Sequence, residues 1–306
     1  MDVLNRLSGS RLIGSWTALR RWSWASLVAN IGIIVTGAVV RLTGSGLGCA
    51  TWPQCNDGSY VPHGAISHHE LIEFGNRTLT FVLIAIAVAC WLSTRRVATG
   101  SSDRERLIRR LTLVIALGIP FQGVIGGITV LTKLNPFVVA LHLLLSLALV
   151  VLIVRLLFAI HDVVPDRVGR LERWLAIAVF TLMAVACWLG TVVTGSGPHA
   201  GDGGAARTGF PIETVARIHS GSVWLTVFTT VALVVLSLRG GHATVRRWAL
   251  VLLGVELVQG ALGYLQYFTG LPVPVVLLHL LGAALATACA AAVLFSSAFR
   301  QTTTPR

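Results

Sequence analysis

The chain has 306 residues, of which 55% are hydrophobic and 12% charged, and its formal net charge is +12. So much apolar sequence excludes a water-soluble globular protein and leaves no room for a separate soluble domain. The net charge alone would suit a nucleic-acid binder, but the arginines gather in alternate connections between apolar runs, which encodes topology and argues against nucleic acid.

Apolar runs long enough to cross about 30 Å of hydrocarbon fall at 22–42, 74–94, 110–131, 137–160, 174–194, 214–238, 247–268 and 274–297. They predict an all-α integral membrane protein with eight transmembrane helices. Arg6, Arg11, Arg20 and Arg21 precede the first run. Arg95, Arg96, Arg104, Arg106, Arg109 and Arg110 crowd the second connection, Arg167, Arg170 and Arg173 the fourth, and Arg239, Arg246 and Arg247 the sixth. Arg300 and Arg306 close the chain, and the odd connections carry little beyond Lys133 and Arg207. This positive-inside pattern places both termini in the cytoplasm of a multi-pass cell-membrane protein. The first run follows a basic stretch without a small-residue cleavage site, so it reads as a span and not as a removable signal peptide.

After the first run come Thr43-Gly44-Ser45-Gly46 and then Cys49 and Cys55, with five residues between them. Cys49 and Cys55 lie in an outside connection, where disulfides persist; a structural staple and a redox-active pair both fit. Two thiols without further ligands do not close a zinc shell. Cys90, Cys187 and Cys289 sit inside spans and read as small apolar fillers.

The second run opens HHELIEFGNRTLTFVL. Glu73 lies one turn before Asn76 on the same helix face. Its carboxylate suits proton uptake, a polar substrate group or a cation, and equally a helix-start acid favoured by the macrodipole. Arg77, Arg41 and Arg217 sit at outer helix ends, where they either neutralise an acidic group of a ligand or snorkel to the interface. Glu256, in the seventh run, is a buried acid without an obvious basic partner, expected to be protonated or hydrogen-bonded and able to line a proton path.

The strongest signal is an internal repeat. Gln122 to His142 reads QGVIGGITVLTKLNPFVVALH, and Gln259 to His279 reads QGALGYLQYFTGLPVPVVLLH. The two align without a gap and both continue Leu-Leu. Thr194-Gly195-Ser196-Gly197 likewise repeats the motif at Thr43, each preceded by Gly-x-Val-Val (Gly37 to Val40, Gly190 to Val193). Two pseudo-symmetric four-helix bundles follow, residues 1–165 and 166–306, with ligands projecting inward from facing helices. Four spans per half give both copies the same orientation, about an axis along the membrane normal.

An ionisable ring at a matched position in two apolar helices is costly to place in lipid and marks a functional site. Imidazole in such a bundle suggests metal ligation, most often of haem iron. His219, in ARIHSGSVW, and His279 can face one another within the second half, as a bis-histidine haem requires; helix-packing histidines bonded to backbone are the plainer reading. Aligning the helix starts puts Asn76 where the second half has His219. An amide oxygen is a poor iron ligand, so His142 faces an open or weakly occupied position unless His68 or His69 reaches in. An open position suits iron that meets oxygen or exchanges its porphyrin, whereas a doubly ligated iron suits electron transfer.

GAVVRLTGSGLGC with its second cysteine, IEFGNR, QGVIGG with His142, ARIHS, and QGALG with His279 together resemble the haem A synthase family, in order and across all eight runs. That resemblance implies oxidation of the C8 methyl of haem O to the formyl group of haem A, for cytochrome oxidase assembly. It implies a haem O substrate in the N-terminal half and a haem b cofactor in the C-terminal half. His219 and His279 match the cofactor ligands, His142 a substrate-haem ligand, Glu73 the catalytic acid, and Cys49 with Cys55 the cysteine pair of the first outside loop. Haem propionates are expected against Arg41 or Arg77. The partners implied are membrane lipid, an electron acceptor and the protohaem farnesyltransferase that makes haem O. Two departures stand out: Asn76 replaces the family's usual histidine, and the connection from Gly195 to Pro211 lacks a second cysteine pair. The alternative from another class is a di-haem b-type membrane electron-transfer protein.

Overall fold

The computed structural model of the chain describes residues 13–299 apart from 57, 64 and 65; Arg6, Arg11, Arg300 and Arg306 of the charge pattern lie outside the described residues. Eight long helices dominate: α1 (Trp16–Leu42), α2 (His68–Val97), α3 (Asp103–Leu131), α4 (Pro136–Ile160), α5 (Arg170–Ser196), α6 (Ile212–Gly240), α7 (Ala243–Phe268) and α8 (Val273–Phe295). All eight are long and apolar enough to span a bilayer, and the protein is an all-α, multi-pass membrane protein. Polar residues extend several helices beyond the apolar runs. The Ser15, Ser67 and Ser102 side chains accept from the first-turn amides of α1, α2 and α3, and Ser67 forms a capping box with Glu70.

The last apolar run was expected to reach residue 297, but α8 ends at Phe295 and Ser297–Phe299 forms a short strand, β2. It pairs in parallel with β1 (Asp166–Val168). Strands of three residues are too short to show alternation in a sequence.

Among the described residues the chain divides into two compact units, 13–161 with 194–209, and 162–193 with 210–299. In the first unit α1 packs on α2, α2 on α3, α3 on α4 and α4 back on α1, a closed ring of four. Small and hydroxyl residues line its contacts, as membrane helices require where apolar burial drives no association. Ser23 Oγ lies 3.4 Å from Cys90 Sγ, and Asn30 Nδ2 donates to the Ser26 carbonyl at 2.8 Å. In the second unit a single core draws on all four helices: Ala176 and Val179 from α5, Leu233 from α6, Leu252 from α7 and Ala290 from α8. Phe81, Leu117, Phe228 and Leu257 are exposed, as lipid-facing side chains should be.

The sequence repeat is a backbone repeat where it matters for the histidines. Leu134 N bonds the Thr129 carbonyl, and Leu271 N bonds the Gln266 carbonyl, each at 2.8 Å. Thr132 and Thr269 cap α3 and α7. The next two residues are left-handed in both copies, Lys133 and Leu134 with φ of 50° and 59°, Gly270 and Leu271 with φ of 77° and 61°. One tight turn, used twice, thus sets the histidine-bearing helices α4 and α8.

Candidate functional site

In the second unit, His219 sits on α6 and His279 on α8. His219 Nδ1 bonds the Ala186 carbonyl of α5 at 3.0 Å. A carbonyl can only accept, so Nδ1 keeps the proton and donates it, and Nε2 is left with its lone pair, the state a metal-ligating histidine needs. The ring is seated on Gly190: a Cβ there would lie 3.4 Å from His219 Cε1. His279 is seated likewise on Gly263 of α7, at 3.5 Å. The Gln259 backbone lies near His279, yet Nδ1 is buried without a hydrogen bond. The two rings are close enough to interact electrostatically.

Glu256, on α7, is buried and accepts from Thr230 Oγ1 at 3.0 Å, while its second oxygen has no partner. Hydrogen bonding was one of its two expected states. Arg217 is exposed on the first turns of α6.

In the first unit, His142 on α4 repeats His279. A Cβ at Gly126 would lie 3.4 Å from His142 Cε1, and the His142 Nδ1 is buried without a hydrogen bond. The Gln122 side chain reaches the His142 carbonyl at 3.4 Å, and that of Gln259 packs over Gly282, three residues beyond His279. The glutamine that opens each repeat therefore braces the histidine-bearing helix.

Asn76, on α2, does not stand free. Its Oδ1 accepts from Thr36 Oγ1 of α1 at 2.7 Å. The possibility that His68 or His69 fills the opposite position does not survive the geometry. His68 is exposed, and His69 stacks against it with ring centroids 4.0 Å apart while its Nδ1 bonds Ser45 Oγ at 2.9 Å.

Glu73 and Arg77 form an ion pair at 2.5 Å and clamp the outer loop to α2. The second Glu73 oxygen accepts from the Cys49 amide at 2.7 Å. Arg77 donates to the carbonyls of Cys49, Thr51 and Gln54 at 3.0–3.1 Å. Every guanidinium nitrogen of Arg77 is thus committed inside the protein, which makes it a loop clamp rather than a free partner for a propionate. The loop it holds is closed by the Cys49–Cys55 disulfide, S–S 2.00 Å. Asn56 donates to Glu70 at 3.2 Å, adding a second tie to the first turns of α2. Trp52 from this loop lies so tightly against Gly127 that a Cβ there would overlap the indole.

Arg41, at the end of α1, donates to the carbonyls of His199 and Thr194 at 2.7 and 3.0 Å. These bonds tie the connection after α5 to the first unit. The His199 imidazole titrates below its ordinary range, chiefly through burial and then through the charges of Arg41 and Arg207.

The loop ties and the Thr36 bond escaped sequence reasoning, because they join residues 14 to 158 positions apart.

The donor set suits a porphyrin-bound metal. No group of three or more His, Cys, Asp or Glu side chains that could hold a metal ion occurs among the described residues. The glycine seats under His142, His219 and His279 let flat rings lie close to neighbouring helices, and the Nδ1 bond of His219 leaves Nε2 as the nitrogen able to bind a metal.

Fold and site together define a multi-pass, all-helical membrane protein with histidines seated on glycines of adjacent helices. Residues 20–291 match the model of the COX15-CtaA family, described as cytochrome oxidase assembly protein, and the chain belongs to that family. Among similar proteins, the heme A synthase of Lysinibacillus sphaericus is 32% identical over 185 residues, 57% of this chain and 58% of that protein. The heme A synthase of Listeria welshimeri is 26% identical over 181 residues, 55% and 56% of the two chains. That of Geobacillus kaustophilus is 30% identical over 151 residues, 47% and 44%. The chain thus spans about half the length of the relatives it matches.

Proposed function

We propose that the protein is a haem A synthase, an oxidoreductase that converts the C8 methyl of haem O to the formyl group of haem A. What carries this reading is the glycine-seated histidine found on α4 and again on α8, in a chain whose relatives bear that name. Residues 1–165 form the substrate half and 166–306 the cofactor half. His142 binds the iron of haem O, and its farnesyl tail extends toward lipid. Arg41, whose Nε and one terminal nitrogen hold the loop carbonyls, is the remaining propionate partner in this half.

His219 and His279 hold a haem b, with Arg217 toward its propionates. When bound, that haem supplies one-electron transfer to or from the substrate site. His219 keeps Nε2 directed at the metal by bonding the Ala186 carbonyl through Nδ1. Glu73 acts at the mouth of the substrate half, where its negative charge stabilises cationic character developing on the substrate. Arg77 and the Cys49 amide fix its position, and the disulfide loop with Trp52 covers that end of the bundle.

The arginine pattern orients the chain with both termini in the cytoplasm and the disulfide loop outside a plasma membrane. An electron acceptor and the protohaem farnesyltransferase complete the set of partners.

Acid-acetone extraction of the purified protein, followed by chromatography with mass detection, tests the reading. Haem b together with haem O, its hydroxylated form or haem A is expected. Haem b alone, from cells that make haem O, would favour the di-haem electron-transfer protein instead.

A further inference from the structure

We propose that the first bundle binds its haem through His142 alone. Asn76 is then a hydrogen-bond donor fixed over the opposite face of the iron, beside a space that admits a small diatomic ligand. The inference rests on the reading above, that this bundle holds a haem, and goes beyond it by assigning the second axial position.

The two bundles can be compared residue by residue. Aligning Gly37–Val40 with Gly190–Val193 pairs Ile33 with Ala186 and Thr36 with Leu189. Aligning the starts of α2 and α6 pairs Asn76 with His219. In the second bundle His219 bonds the Ala186 carbonyl directly. In the first, Thr36 Oγ1 lies 3.3 Å from the matching Ile33 carbonyl and 2.7 Å from Asn76 Oδ1. Asn76 therefore reaches the same place on the neighbouring helix as His219, with a threonine hydroxyl bridging the shortfall of the smaller side chain.

That hydroxyl decides which way the amide points. Its proton goes to Asn76 Oδ1 at 2.7 Å, the nearer of its two acceptors. Thr36 thus donates to Oδ1, and Nδ2 faces the other way. An amide nitrogen has no lone pair to give a metal, so Asn76 offers two N–H donors and no ligand. Leu189, at the matching position in the second bundle, has no hydroxyl and makes no such bridge.

The space beside it differs in the same sense. A Cβ at Gly190 would meet the His219 ring at 3.4 Å, whereas a Cβ at Gly37 would meet nothing within 4 Å. Gly190 thus carries a ring seated on it, and Gly37 carries none. His142 meanwhile keeps the glycine seat and glutamine brace of His279. One axial ligand is common to both bundles, and the other is replaced by a donor beside a gap.

The test uses the purified holoprotein. Its ferric spectra should show one low-spin and one high-spin haem, and its reduced form should bind one CO per chain. His142→Ala should abolish that CO binding together with the high-spin haem. Asn76→His should convert the high-spin haem to low spin and abolish CO binding, its ring occupying the gap over Gly37. Asn76→Leu should keep the high-spin haem and CO binding but raise the C–O stretching frequency, because the donor is gone; Thr36→Val should raise it less. Two low-spin haems in the wild type, or a C–O stretch unmoved by Asn76→Leu, would overturn the proposal. The wild-type measurement needs no variant to fold. A single haem per chain, untouched by His142→Ala, would instead sink the underlying assignment of a haem to this bundle, and the proposal with it.

Discussion

The two bundles share a turn, a glycine-seated histidine and a bracing glutamine, yet they differ on one helix. Where α6 carries Ala216, His219 and Ser220, the aligned positions of α2 carry Glu73, Asn76 and Arg77. The second bundle thus has an uncharged set at these three positions, a ring bonded to a neighbouring carbonyl between an alanine and a serine. The first has an ion pair, an amide tethered to a hydroxyl, and a disulfide loop clamped above them. A permanently held group needs two strong ligands and little else. A group that must enter, react and leave is better served by one ligand, a polar wall and a cover. On the proposed function, three side chains on one helix of each bundle would separate the two tasks.

Removing a ligand from the second bundle should break the comparison most completely. His219→Ala leaves His279 without its counterpart, and the low-spin haem should be lost almost entirely, read as a halving of haem per chain by pyridine haemochrome. The high-spin component should remain. Retention of the full low-spin spectrum would show that His219 is not a ligand.

Glu73→Gln attacks the feature found only in the first bundle. Glu73 is 4% exposed, and losing its charge leaves the half-buried Arg77 guanidinium without its ion-pair partner, a change that costs on the order of 2 kcal/mol. Thermal unfolding in detergent should register that loss, and thiol labelling after mild reductant should find Cys49 and Cys55 more accessible. Conversion should stop at haem O or an alcohol intermediate if Glu73 also acts on the substrate. A variant as stable as the parent would refute the clamp.

A smaller effect separates the two copies of the turn. Lys133 holds φ of 50° where its counterpart is Gly270. A left-handed non-glycine residue costs roughly 1 kcal/mol, so Lys133→Gly should stabilise and Gly270→Lys should destabilise by about that amount. Opposite shifts of the unfolding midpoint are expected, and shifts of the same sign would show that the turns are not equivalent.

The mildest prediction concerns the connection tied to Arg41. His199 in the folded protein titrates below its ordinary value, through burial first and the two arginine charges second. The opened segment therefore binds a proton more readily than the closed one. Stability of this segment should fall as pH drops below about 6.5, the ordinary imidazole value, and be unaffected above it. Proteolysis at Arg207 should speed up between about pH 7 and about pH 5, and His199→Gln should flatten that dependence.

Hydropathy and charge placement were enough to read eight spans, because a bilayer demands about twenty consecutive apolar residues whatever their neighbours. The gapless repeat from Gln122 and Gln259 exposed His142 and His279 for a similar reason: both ends of the signal lie within one local segment. The Cys49–Cys55 pairing, too, could be weighed from its short separation and its place outside the membrane. Other features depend on partners distant along the chain. That Arg77 is a loop clamp, that Arg41 holds the connection after α5, and that Thr36 turns the Asn76 amide required the folded helices, since no spacing rule links residues on different spans. Sequence could say that Asn76 is a poor ligand. Only the tertiary structure, by setting a hydroxyl 2.7 Å from its oxygen, decided which of its two ends is left to act, because in a bundle the geometry of a side chain belongs to the helix it meets.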